Sequence, residues 1–162
     1  MAEHDIFHDI VDILVADGCW HETFQHETTV RTSEEAAALR PGYTLSEGAK
    51  ALIVRLKIPH KGKSFAMAVL PGDKKFDSKK LKIAAGASDL RFATEAEVAE
   101  LTRGVQPGGV PPFGNMFGIA VYADNGVFAN EKIIFNAGRD VSIAMKSADY
   151  ARIVKPIVST IV

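Results

Sequence analysis

Two extended apolar runs, AKALIVRLKI and SFAMAVLPG, lie almost back to back in this chain, with only Pro59 and the turn HKGK between them. No other feature restricts the fold as strongly. Runs of this length, rich in Val, Ile, Leu and Phe and joined by a short Gly-containing turn, predict a β-hairpin. Neither run is long enough to span a membrane.

Helical signals surround the hairpin. Ile6, Ile10, Ile13 and Leu14 recur at helical spacing, and Gly18 can end that helix. A short strand is predicted from Trp20 to Gln25. Thr32-Ser33-Glu34-Glu35 reads as a capping box opening a helix that stops at Pro41-Gly42. DSKKLKIAAG reads as a helix with Asp77 near its start, followed by a short strand over Asp89 to Ala93. A second capping box, Thr94-Glu95-Ala96-Glu97, starts a helix running through Leu101. FGIAVYAD and EKIIFNAG read as strands around the turn Asp124-Asn125-Gly126, VSIAMKS as a further strand, and Ser147 as the cap of a last helix, SADYARIV. This order predicts an α+β domain over residues 1–162, with one mixed, curved β-sheet flanked by helices.

The 162 residues suit a single domain. The lone cysteine, Cys19, cannot form an internal bridge, which fits a reducing cytoplasm. The early acids of MAEHDIFHDIVDIL argue against a secretory signal. A net charge of −1 argues against a protein that grips a nucleic-acid backbone over a wide face, so contact with an end of a nucleic acid is the better expectation.

Chemistry has few candidates. VQPGGVPPFG, from Val105 to Gly114, holds three glycines, three prolines and no charge. Glycine permits close backbone approach and positive φ, whereas proline stiffens the chain and removes a donor. Gly108-Gly109 followed by Pro111-Pro112 would make a rigid wall with N–H groups available to a carbonyl or oxyanion, unless it is only a crossover between helix and strand. Lys50, at the mouth of an apolar strand, must either reach water or meet an anion. His4 and His8 have metal-compatible spacing but no nearby third ligand, and there is no paired-cysteine site or nucleophile elbow. Covalent catalysis therefore lacks a candidate, and neither metal nor cofactor is expected. Lys74, Lys75, Lys79, Lys80 and Lys82 form a run that is either a solvated helix face or a phosphate-meeting patch.

Taken in order, His26 ahead of TSEEAA, then GAKAL, VLPGDKKFDSKKLK, ATEAEVAELT, GGVPPFG, Asp124 and FNAG resemble the YbaK/EbsC family. These are aminoacyl-tRNA deacylases related to the editing insertion domain of bacterial prolyl-tRNA synthetases. The resemblance runs from about Glu22 to the last helix. It implies a partly barrel-like sheet wrapped by helices, and hydrolysis of a small mischarged amino acid from the 3′ end of tRNA. By resemblance, Lys50 matters for activity, and Gly108 through Pro112 match a Gly-x-x-x-Pro motif that shapes the amino-acid pocket. Asn136 to Gly138 match a segment lining the same site, and His26 and Asp124 match family positions expected to contribute to substrate binding. The implied partner is the aminoacyl-tRNA acceptor end, with a synthetase left open as a second; neither DNA nor a membrane is implied. A non-catalytic module that binds a tRNA end or an amino acid in association with a synthetase is the competing reading.

Overall fold

The computed structural model describes residues 5–25, 42–138 and 140–162. His26 and the Thr32 capping box lie outside the described residues. Helix α1 (Ile6–Asp17) starts where the Asp5 side chain accepts from the His8 N–H. It ends at Gly18, whose φ of 78° lets its amide close on Leu14 and Val15. The recurring apolar residues bury Ile6, Ile10 and Leu14.

Strands β1 (His21–Gln25), β2 (Ala49–Ile58) and β3 (Gly62–Pro71) follow. β2 and β3 form the expected hairpin in unbroken antiparallel register, from Ile58↔Gly62 at the turn to Ala49↔Pro71 at the open end. Helix α2 (Ser78–Ala85) is capped by Asp77, whose carboxylate accepts from the Lys79 and Lys80 amides. Strand β4 (Asp89–Phe92) pairs with β2 over Val54 to Lys57 only. Helix α3 (Glu95–Thr102) opens on a complete Thr94–Glu97 capping box. Strands β5 (Ala120–Asp124), β6 (Lys132–Asn136) and β7 (Val141–Lys146), helix α4 (Ser147–Val154) and strand β8 (Ile157–Ser159) complete the order.

The single sheet expected from the sequence is instead two among the described residues. One is five-stranded and mixed, in the order β4-β2-β3-β5-β8, and the other three-stranded and antiparallel, β1-β7-β6. An isolated bridge, Gly48↔Ile134, joins them. β5 and β6 do not pair with each other, because the 3-10 turn Asn125–Ala129 carries the chain from one sheet to the other. The last helix also differs in detail. Lys146, not Ser147, is its N-cap, and the Ser147 hydroxyl donates to the Asn130 and Glu131 carbonyls.

Alternation along β2 divides the core. Ala49 and Ile53 join a large cluster that includes residues of α1, β6, β7 and α4. Val54 and Leu56 face a second cluster with Ala68, Leu81 and Ile161. Each fully buried large side chain contributes roughly 1.5–3 kcal/mol. Among the described residues, no helix is long and apolar enough to cross a membrane.

Candidate functional site

The Gly/Pro loop is a braced structure. Thr102, fully buried at the end of α3, donates its hydroxyl to the Val98 carbonyl at 2.7 Å and the Val105 carbonyl at 3.2 Å. Pro107–Gly109 then form a 3-10 turn, in which the Gly109 amide donates to Gln106 O at 2.8 Å. Gly108 is exposed and Gly109 buried. Neither glycine has a positive φ, so the pair serves close approach and not an unusual backbone conformation. The Gly109 amide is spent inside the turn, and Gly108 is the exposed residue of the pair.

Two bonds tie this turn to the β6–β7 connection. Asn136 Nδ2 donates to Gly108 O at 2.8 Å, and the Gly138 amide donates to Gly109 O at 2.8 Å. Asn136 Oδ1 in turn accepts from Ser142 Oγ at 3.3 Å. Gly138 has a φ of 112°, a region that side chains disfavour, and this conformation aims its amide at the loop. Pro112 lies below, buried, with its carbonyl accepting from the Tyr150 hydroxyl at 2.6 Å. Burial pushes the Tyr150 hydroxyl far above its ordinary pKa, so it remains a donor. Gly108, Gly109, Pro112, Asn136 and Gly138 are thus brought together around one loop.

Asp124 occupies a separate place. It is 3% exposed, and its two oxygens accept from the Gly126 amide at 2.8 Å and the Ile161 amide at 2.9 Å. It holds the chain where β5 leaves for the second sheet and where the C-terminal segment returns. Cys19 is partly buried, and desolvation, then the Asp149 and Asp17 charges, push its thiol above the usual range. That is the opposite of an activated nucleophile. Among the described residues, no group of three or more His, Cys, Asp or Glu could hold a metal ion.

A cavity of about 200 Å³ opens beside the loop. It is lined by Ala51, Leu52 and Ile53 of β2, Phe92 and Ala93 at the end of β4, Glu95 and Val98 of α3, and Pro107 and Val110 of the loop. The pocket exists because β4 stops short, leaving the outer edge of β2 before Val54 without a strand among the described residues. Ile53 O accepts from the Ala93 amide, and Lys57 O from the Ser88 amide, on that same edge. The period-two alternation therefore directs the main-chain N–H and C=O of Ala51 toward the cavity. Glu95 adds a carboxylate at the rim, where a ligand ammonium would be favoured.

Lys50 immediately precedes these lining residues. It lies opposite Leu70 across the hairpin and on the same sheet face as Leu52, Val54 and, by the Val54↔Phe92 register, Phe92. Lys50 is half-buried, and among the described residues its ammonium has no ion-pair or hydrogen-bond partner. A cation next in the chain to the wall of a small, largely apolar cavity suits an anionic group held just outside it. The Ala51 edge, Glu95 and Phe92 carried no sequence signal, because the pocket exists only where three separate segments meet.

Residues 27–153 match the family model of the aminoacyl-tRNA editing domain. The chain is 33% identical to the multifunctional Ser/Thr-tRNA deacylase ProXp-y of Escherichia coli K12, over 96% of this chain and 93% of that protein. A 63-residue stretch is 43% identical to the proline–tRNA ligase of Halalkalibacterium halodurans, covering 39% of this chain and 11% of the ligase. Among solved structures, hypothetical protein APE2540 superposes with a TM-score of 0.79 at 28% identity, covering 94% of this chain and 97% of that one. A candidate trans-editing enzyme for prolyl-tRNA synthetase superposes with a TM-score of 0.80 at 22% identity, covering 99% and 98%, and so shares the fold.

Proposed function

This chain belongs to the aminoacyl-tRNA editing domain family, and from that membership we propose that it is a trans-editing deacylase acting as a single domain over residues 1–162. Its reaction is hydrolysis of the ester between a small mischarged amino acid and the 3′ end of tRNA. The observation that carries the reading is the small cavity between the β2 edge and the Pro107–Val110 loop, with Lys50 beside it.

The acyl side chain enters the cavity, whose walls sort side chains by fit. One methylene is worth only about 1–3 kcal/mol of discrimination, so a separate clearing step is useful. Lys50 anchors a phosphate or the ribose of the terminal nucleotide. The Gly108 amide and the Ala51 main chain support the carbonyl oxygen as it gains charge. Water, positioned by a hydroxyl of the substrate itself, attacks the carbonyl carbon, and its oxygen stays on the released amino acid. The ester C–O bond then breaks, and a proton passes to the leaving ribose oxygen. An ester fixed in this way needs no enzymic nucleophile. Asn136, Gly138 and Pro112 act by holding the loop, Asp124 by fixing the frame behind it, and His26 contributes to substrate binding. A partly barrel-like closure through the Gly48–Ile134 bridge would keep the two sheets at a constant angle around the site. Action on aminoacyl-tRNA also implies work in the cytoplasm.

The test is ester loss from a panel of tRNAs charged with Ala, Ser, Thr, Cys and Pro. The wild type clears at least one of them well above the buffer rate. Lys50→Ala lowers kcat/KM by about 10- to 150-fold, the range for losing a charged hydrogen bond. A panel in which no ester is lost faster than in buffer refutes the proposal.

A further inference from the structure

Phe92 sits at the mouth of the cavity with 56% of its surface exposed, although it ends a β-strand and is tightly held. Its carbonyl accepts from Arg91 Nη1 at 3.0 Å, while the same guanidinium clamps Glu97 at 2.8 and 2.9 Å. The next amide, of Ala93, is bonded to Ile53 O at 3.0 Å. Phe76 packs against the ring at a centroid distance of 5.8 Å and an interplanar angle of 60°. An exposed aromatic ring gains little from burial, yet here the backbone on both sides and a second ring fix its position. That is the arrangement of a preorganised platform.

Lys50 shares its sheet face. Phe92 lies opposite Val54, four residues along β2 from Lys50, an offset of about 13 Å along the strand. Leu52 and the cavity lie between them. A flexible lysine side chain spans part of that gap, so a cation for a phosphate and a flat apolar ring for a base flank a pocket sized for a small acyl group. We propose that Phe92, braced by Phe76 and the Arg91–Glu97 clamp, is the stacking platform for the terminal nucleobase of the tRNA substrate. This rests on the deacylase reading for the identity of the ligand, but it concerns binding and not turnover. Every base offers a π-face, so the platform orients the terminal nucleotide without reading its sequence.

The test is a binding cycle on uncharged tRNA, measured by fluorescence anisotropy, with the 3′-terminal adenine either present or replaced by an abasic ribose. Base–aromatic stacking predicts that wild type loses about 5- to 150-fold in affinity when the base is removed. Phe92→Leu, apolar but not aromatic, should lose a similar factor on intact tRNA and little further on the abasic one. Phe92→Trp should keep the wild-type preference. Equal wild-type affinity for the two tRNAs, or a Phe92→Leu protein that still prefers the intact end by the wild-type factor, overturns the proposal. If Phe92→Leu fails to fold, equal wild-type affinity for the two tRNAs still overturns the proposal, and Phe92→His, smaller but still able to stack, replaces Leu as the variant expected to keep part of the preference. Because no ester is cleaved, a failed deacylation panel leaves this result standing and separately readable.

Discussion

Replacing Tyr150 by Phe removes one oxygen and very little volume. The ring is fully buried and would keep its contacts with Phe113, at a centroid distance of 5.7 Å, and Phe128, at 6.3 Å. The loss falls on the Pro112 carbonyl, whose partner is the Tyr150 hydroxyl at 2.6 Å. Leaving a buried acceptor without its partner costs about 1–3 kcal/mol, more than the net worth of the bond itself. For a chain of this length, each kcal/mol moves the thermal midpoint by about 2–4 °C, so Tyr150→Phe should melt about 2–12 °C below wild type. Circular dichroism melts and urea titrations should agree, with the urea midpoint lowered and the m-value unchanged. Because Pro112 anchors the end of the loop, kcat/KM on a cleared aminoacyl-tRNA should fall as well. A variant that melts within a degree of wild type, with the same m-value, would show that the hydroxyl does not brace the loop.

Gly138→Ala places a side chain at a φ of 112° with open space around it, so its cost is backbone strain of about 1–2 kcal/mol, seen as a lower melting midpoint together with slower deacylation. Gly108→Ala, whose φ is not positive, should leave the melting midpoint close to wild type while slowing ester cleavage, and unaltered kinetics would make the loop a plain crossover. Glu97 is held at about 2, first by its bond to Arg91 and then by the Thr94 amide, against an ordinary value of 4.5. A depressed carboxylate stabilises the fold above its unfolded value and loses that contribution as pH falls through its folded one. The stability gap between wild type and Glu97→Gln, followed by urea midpoints, should therefore be level above about pH 4.5 and close toward pH 2.

Local chemistry was legible in the sequence and long-range pairing was not. The hairpin could be read because its two runs are neighbours in the chain, and the Asp77 cap and the Thr94–Glu97 box because a cap is set within four residues. The Thr44–Glu47 capping box just before the hairpin carries the same signature. The division into two sheets was hidden because β5 and β6 are both apolar runs next to one short turn. What separates them is Asp124, whose buried carboxylate holds both that turn and the distant Ile161 amide. β8, at three residues, has no pattern to read and exists by pairing with β5. The loop was conspicuous for its glycines and prolines, but its wiring to Asn136, Gly138 and Tyr150 crosses 28 or more positions. The same holds for the cavity, since nothing local to Ala51, Phe92 or Val110 indicates that they meet.

The account stands on the cavity between β2 and the loop being the seat of the acyl group, and filling it is the most direct test. Ala51→Leu adds a branched side chain to the cavity wall, where overpacking costs about 1–3 kcal/mol. With the melting midpoint and the affinity for uncharged tRNA used as controls, single-turnover cleavage of the best-cleared aminoacyl-tRNA should slow by about 5- to 150-fold. An Ala51→Leu protein that is folded, binds tRNA and cleaves the ester at the wild-type rate would show that the acyl group sits elsewhere.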